Sequence, residues 1–202
     1  VLRVHEPGGT CLGEKIRALL LDKEDDAMAP LAELLLFEAA RAQVMDEVIE
    51  PALARGEFVV CDRFTDSTLA YQGYGRELGA GLVRSTNDLA CGGRYPDRTL
   101  LLALDPDVAR NRVEGRSTDG TGDRMESAGE AFRARLRSGF EAIAASEPGR
   151  VHVIDADGSV DEVHGRICSD LVDLLDLNLR DQTKPPQRHL SCSVDSGVEE
   201  RS

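Results

Sequence analysis

Short runs of β-type residues, 1 to 4, 58 to 61, 99 to 104 and 151 to 154, each end in turn-forming or polar residues and are separated by longer segments with apolar residues at helical spacing. Strands separated by helices of this length are too far apart for hairpins and build parallel β-α-β units, so the expected class is α/β with a parallel sheet. The spacing predicts helices over residues 12 to 21, 31 to 55, 107 to 116, 129 to 145 and 160 to 175. In the longest, Leu34, Leu35, Met45, Val48 and Ile49 recur at the helical period; Pro51 is expected to kink or break it and Gly56 to end it. Asp105 and Pro106 supply a capping carboxylate and a ring at the start of the next helix. From residue 178 the composition turns to Asp, Gln, Lys, Pro, Ser and Glu. Residues 1 to 177 are therefore expected as one domain and 178 to 202 as a disordered tail.

Charge and cysteine usage exclude several functions. With a formal net charge of -13 the chain repels a polyanion at long range, so no nucleic-acid partner is expected and any anionic ligand must meet a local arginine cluster. No apolar run approaches the roughly 18 residues of a membrane span, which sets aside a membrane partner. Cys11, Cys61, Cys91, Cys168 and Cys192 form no CxxC pair and share no metal spacing with histidines, a pattern of reduced thiols in a soluble cytoplasmic protein. His5, His152, His164 and His189 form no pair at catalytic spacing.

Several segments carry residue types suited to phosphate and base recognition. Glu6-Pro7-Gly8-Gly9-Thr10 follows the first strand, where loops at strand carboxyl ends line the ligand crevice of open α/β sheets; an ordinary βα turn has the same composition. Phe37 and Arg41 share one helix face, a turn apart, so that a ring can stack on a planar base while a guanidinium bonds its edge. A core phenylalanine and a solvated arginine also fit. Residues 62 to 73 bring Asp62 to a strand's carboxyl end, where a carboxylate can hold the hydration shell of Mg²⁺. Arg63 beside it can fork onto a phosphate, and Thr68 and Gln72 lie one helical turn apart, able to read a base edge. Residues 116 to 126, with Arg116, Gly120, Gly122, Asp123 and Arg124, suit either a lid over transferring phosphates or a plain solvated loop.

In order and separation these segments resemble the bacterial thymidylate kinases. The resemblance rests on the Glu6 to Thr10 turn, Glu33 through Arg41, residues 62 to 73, the Leu89-Ala90-Cys91-Gly92-Gly93 approach to Pro96-Asp97, Asp123-Arg124-Met125-Glu126, and Ile154-Asp155-Ala156. It implies a P-loop NTPase-like three-layer fold and phosphoryl transfer from ATP to dTMP, giving dTDP. By resemblance thymine stacks on Phe37 and is bonded by Arg41, Thr68 and Gln72. Arg63 and Arg17 hold the dTMP phosphate, Glu6 and Tyr71 lie near sugar and phosphate, and Asp62 organises Mg²⁺. Arg116 and Arg124, on a lid over about residues 115 to 127, act with Arg63 in catalysis and meet the ATP phosphates. A homodimer through the helices near residues 31 to 55 is also implied.

The sequence departs from the family's pattern in places. His5 stands where many relatives carry arginine, and Ala103 where aspartate is common. No G-x-x-x-x-G-K-[ST] occurs, so the backbone cradle, lysine and hydroxyl that hold ATP phosphates are absent from these residues. In the family that motif follows the central first strand. Without strand and loop, two inner sheet edges are expected to lie unpaired and this chain alone to be inactive. The alternatives are a noncatalytic remnant that binds dTMP or a partner protein, and a relative with another acceptor nucleotide.

Overall fold

The computed structural model describes residues 1–22, 28–105, 108 and 129–182. Strand β1, Leu2–His5, pairs in parallel with β2, Val59–Asp62, with Leu2 opposite Val59 and His5 opposite Asp62. Strand β3, Thr99–Ala103, pairs in parallel with β4, Val151–Asp155, with Thr99 opposite Val151 and Ala103 opposite Asp155. Among the described residues these are separate two-stranded sheets, and no ladder joins β2 to β3. The α/β class expected from the alternation is what the chain adopts, and both pairings are parallel.

Helix α1, Cys11–Leu21, starts at Thr10, whose Oγ1 accepts the Gly13 amide at 2.9 Å and so satisfies an otherwise unpaired N–H of the first turn. Helix α2, Pro30–Val44, has proline in its first turn, where a missing N–H costs nothing. The expected break at Pro51 takes another form. A π-helical turn, Met45–Ile49, joins α2 to α3, Glu50–Ala54, and the Glu50 amide donates to Met45 O. Pro51 cannot bond the carbonyl four residues back, and the widened turn just ahead of it keeps the chain helical to residue 54. Helix α4, Thr65–Thr68, runs into a second π-helical stretch, Leu69–Gly75.

Helix α5, Ala80–Cys91, was not expected from the sequence. Its buried positions are Val83, Asn87 and Cys91, while its leucines, Leu82 and Leu89, face outward, and Gly92 ends it in the left-handed conformation at φ 59°. Helix α6, Glu130–Ser146, precedes β4. Leu34, Leu69, Ala70, Val83, Ile143 and Val151 form one apolar cluster, Val4, Val44, Met45 and Ile49 another, and Ile16, Leu20 and Ala40 a third. The α2 helix contributes to all of these, so it is the element on which the core is assembled.

The chain falls into two compact units, Val1–Gly158 and Ser159–Ser202, dividing inside the segment expected as one domain, 1 to 177. A polar turn with Gly158 at φ 110° marks the boundary, and a strand followed by a helix shows no compositional step there. In the second unit, helix α7 spans Val160–Gln182 and opens on a capping box: Glu162 Oε2 accepts from Ser159 N at 2.7 Å and from Ser159 Oγ at 2.8 Å, and the Glu162 amide points back at Ser159 Oγ. The expected disordered tail, 178 to 202, is therefore helical over its first residues, to Gln182, because no proline interrupts the helix until Pro185. The remainder, 183 to 202, lies outside the described residues. Among the described residues no helix is long and apolar enough to cross a membrane.

Candidate active site

Strands β1 and β2 end side by side, His5 opposite Asp62, and the Glu6 amide donates to Asp62 O at 3.0 Å. The turn that follows is fastened from α1. Glu14 Oε1 accepts the Gly9 amide at 2.9 Å and bonds His5 Nε2 at 3.0 Å. The Gly9 bond, with His5 and Arg17 nearby, holds the exposed Glu14 carboxyl below its usual value. Arg17 Nη1 donates to Pro7 O at 2.9 Å, which places one expected phosphate ligand against the turn. A Cβ at Gly13 would stand 2.6 Å from Gly8 O, so only glycine lets α1 approach the turn this closely.

Arg41 is the centre of the arrangement and is 1% exposed. Its Nε and Nη2 donate to Glu6 Oε2 at 3.0 and 2.7 Å, its Nη1 to Glu38 Oε2 at 3.0 Å and Asn87 Oδ1 at 2.7 Å, and its Nη2 also to Thr68 Oγ1 at 2.8 Å. These bonds use every N–H of a guanidinium. Phe64 adds a ring 5.2 Å from the guanidinium carbon. Burial works against the charge, yet Glu6 and Glu38 raise the Arg41 pKa above its ordinary value. Burial likewise pushes the Glu38 carboxyl up, with Arg41 pulling it back. Burial pushes the Glu6 carboxyl up as well, again with Arg41 pulling it back. The arginine expected to bond a base is thus fully held by protein oxygens and must exchange one of them to do so.

Glu33, Phe37 and Arg41 follow one stripe of α2 at intervals of four, and Thr68, Gln72 and Arg76 follow a stripe of the α4 and π-helical segment. The stripes meet in opposite order. Arg41 bonds Thr68 at one end, and at the other Gln72 Nε2 donates to Glu33 Oε1 at 2.8 Å while Arg76 reaches Glu33 Oε1 and Oε2 at 3.1 and 3.0 Å. Phe37 lies between these pairs along α2, half-buried against Ile16, Leu20 and Ala40. Arg76 is further covered by the Phe132 ring, 5.0 Å from its guanidinium carbon.

At the exit of β2, Asp62 and Arg63 are exposed. Arg63 has φ 66°, the left-handed region that a non-glycine residue occupies at a cost of about 1–3 kcal/mol and that concentrates at functional sites. This backbone aims its guanidinium over Tyr71, 5.2 Å from the ring centroid, and Tyr71 meets Phe132 and Phe140 edge-on at 6.1 and 6.3 Å. Among the described residues no group of three or more His, Cys, Asp or Glu gathers at metal-binding distance. Arg116 and Arg124, with the whole of the expected lid, lie outside the described residues.

Glu33, Glu38, Arg76 and Asn87 are functional candidates that the sequence does not single out. Glu38 stands three residues before Arg41 on the same face, a spacing that could have found it; Asn87 belongs to the helix that was not expected. Asp66, inside the 62 to 73 segment, turns to a structural task, pairing with Arg150 through both oxygens at 2.7 and 2.8 Å and accepting from Thr99 Oγ1 at 2.8 Å. Arg135 is likewise structural, donating to Gly75 O at 3.0 and 3.1 Å.

The family described as Thymidylate kinase matches residues 1–167. A thymidylate kinase of Synechococcus sp. (strain JA-3-3Ab) is 52% identical over 167 residues, covering 82% of this chain and 77% of its own. That of Bifidobacterium longum subsp. infantis is 48% identical over 184 residues, 90% of this chain and 77% of its own. The crystal structure of thymidylate kinase from Ehrlichia chaffeensis superimposes with a TM-score of 0.66 at 34% identity, over 84% of this chain and 79% of that one. With the family matched over residues 1–167 and half of the positions shared with a relative, this chain belongs to the thymidylate kinase family.

Proposed function

We propose that the chain binds dTMP and supplies the acceptor side of phosphoryl transfer from ATP to dTMP, giving dTDP. The observation that carries the reading is the position of Phe37 between the Arg41–Thr68 and Glu33–Gln72 pairs, a ring bracketed by groups able to bond a base edge. In this reading thymine stacks on Phe37, with Arg41, Thr68 and Gln72 at its edge. Arg63 and Arg17 take the phosphate, with Glu6 and Tyr71 beside sugar and phosphate, and Arg116 and Arg124 close over the ATP phosphates.

No general base is required, because a phosphate monoester with a second pKa of about 6 is largely dianionic at neutral pH. What remains is alignment and neutralisation of charge, and arginines do both, with contributions of about 10³ to 10⁵ in rate in related reactions. Asp62, exposed at the end of β2, suits the water shell of Mg²⁺, a cation held by one or two carboxylates and substrate phosphates, and bound there it would neutralise charge on the transferring group. The reading includes a homodimer through the helices near residues 31 to 55, where Leu31 and Leu35 are exposed. The 202 residues contain no glycine-rich ATP-phosphate motif, so turnover by them alone is expected to be absent.

Titration of the chain with dTMP, together with an assay for ATP-dependent dTDP formation, tests the reading. Saturable dTMP binding that Phe37→Ala abolishes is expected. A folded chain that binds no dTMP overturns it.

A further inference from the structure

Gln72 is 1% exposed, and its amide is held asymmetrically. Its Nε2 donates to Glu33 Oε1 at 2.8 Å, while its Oε1 is buried without a hydrogen-bond partner. The orientation follows from the chemistry of its neighbour. A carboxylate only accepts hydrogen bonds, so the Gln72 NH₂ must face Glu33 and the carbonyl oxygen must face away. Glu33 is itself fixed, 0% exposed and clamped by Arg76 on both oxygens. A buried acceptor without a donor is unfavourable unless a ligand supplies one.

We infer that Glu33 is a positioning residue that sets the hydrogen-bond polarity of the Gln72 amide, and through it selects an acceptor base carrying a ring N–H beside a carbonyl. The inference rests on the proposed binding of dTMP. At one end of the bracket Arg41 is donor-only; at the other, Gln72 is held as an acceptor. A base edge that offers an acceptor next to a donor, as O4 and N3–H of thymine or uracil do, matches both. Cytosine presents the reverse order, an amino donor next to the N3 acceptor. A Gln72 free to rotate would donate to that N3 and relieve half of the mismatch. Glu33 forbids the rotation, because turning the amide would set its carbonyl oxygen against a carboxylate.

The test is equilibrium titration of the full chain with dTMP, dUMP and dCMP, in the wild type, Glu33→Gln and Glu33→Asp. Glutamine at position 33 can donate as well as accept, which frees the Gln72 amide. Aspartate keeps a carboxylate for Arg76, and so the fold, but falls a methylene short of Gln72. The wild type is expected to prefer dTMP and dUMP over dCMP. In both variants the dTMP to dCMP affinity ratio should fall about tenfold, the worth of one buried hydrogen bond, while the dTMP to dUMP ratio stays constant. A merely structural role would weaken all these ligands in proportion. An unchanged dTMP to dCMP ratio in a folded variant, or equal wild-type affinity for dTMP and dCMP, overturns the inference alone. A wild type that binds none of them overturns the dTMP reading and the inference with it.

Discussion

One carboxylate oxygen of Glu6 accepts both Nε and Nη2 of Arg41, at 3.0 and 2.7 Å, with both side chains buried. The pair joins the end of β1 to the last turn of α2 and carries Thr68, Glu38 and Asn87 with it. Replacing Arg41 by methionine leaves Glu6 and Glu38 as buried carboxylates without a cation. Arg41→Met is expected to lower the unfolding free energy by about 3–5 kcal/mol, the usual loss when one partner of a buried ion pair is removed. Urea denaturation measures it, and a loss comparable to a surface substitution would show that the pair is not buried in solution.

Glu38 sets a pH dependence of defined sign. Burial raises its carboxyl above the ordinary 4.5, so the folded chain keeps a proton there over a range in which the unfolded chain has lost it. Stability contributed by that proton is present below the unfolded value and is lost as pH rises through the folded one. Relative to Glu38→Gln, the wild type should therefore lose stability as pH rises above the ordinary carboxylate value and through the raised folded one. Paired urea titrations read the difference, and a wild type that gains on its variant as pH rises would contradict the assignment.

Helix propensity and packing make opposite forecasts at Gly13. Alanine is favoured over glycine inside a helix by about 1 kcal/mol, but a Cβ at Gly13 would meet Gly8 O at 2.6 Å and Gly8 C at 3.0 Å, backbone atoms that have no rotamer to move. Gly13→Ala is expected to cost about 1–3 kcal/mol and to weaken dTMP binding by displacing the turn that carries Glu6. A methyl group at Gly165, in α7, would meet nothing within 4 Å, so Gly165→Ala should stabilise the chain. Thermal melts of the two variants should move in opposite directions.

Thiol reactivity divides along the same lines of burial. The Cys61 thiol is pushed up to about 12, chiefly by burial with Glu6 and Asp62 adding to it, and Cys91 is raised for the same first reason. Cys11 and Cys168 are exposed. Alkylation near neutral pH, followed by mass spectrometry, should modify Cys11 and Cys168 first and reach Cys61 and Cys91 only after unfolding. Early modification of Cys61 would show that β2 opens readily.

Short β-type runs bounded by turn residues marked the strands, and the helical period of apolar residues marked most of the helices, because a half-buried helix repeats its burial along the chain. It also placed Phe37 and Arg41 on one face and Thr68 and Gln72 on another, since spacing within a helix is local geometry. What surrounds those residues was decided by tertiary structure. Arg41 finds Glu6, Thr68 and Asn87 from distant parts of the chain, and Gln72 finds Glu33 across two helical segments. Which polar groups are taken out of water together depends on how the elements pack, and burial makes each of them find a partner. The π-helical turns are of the same kind: they accommodate neighbours, and a one-dimensional pattern contains no record of neighbours.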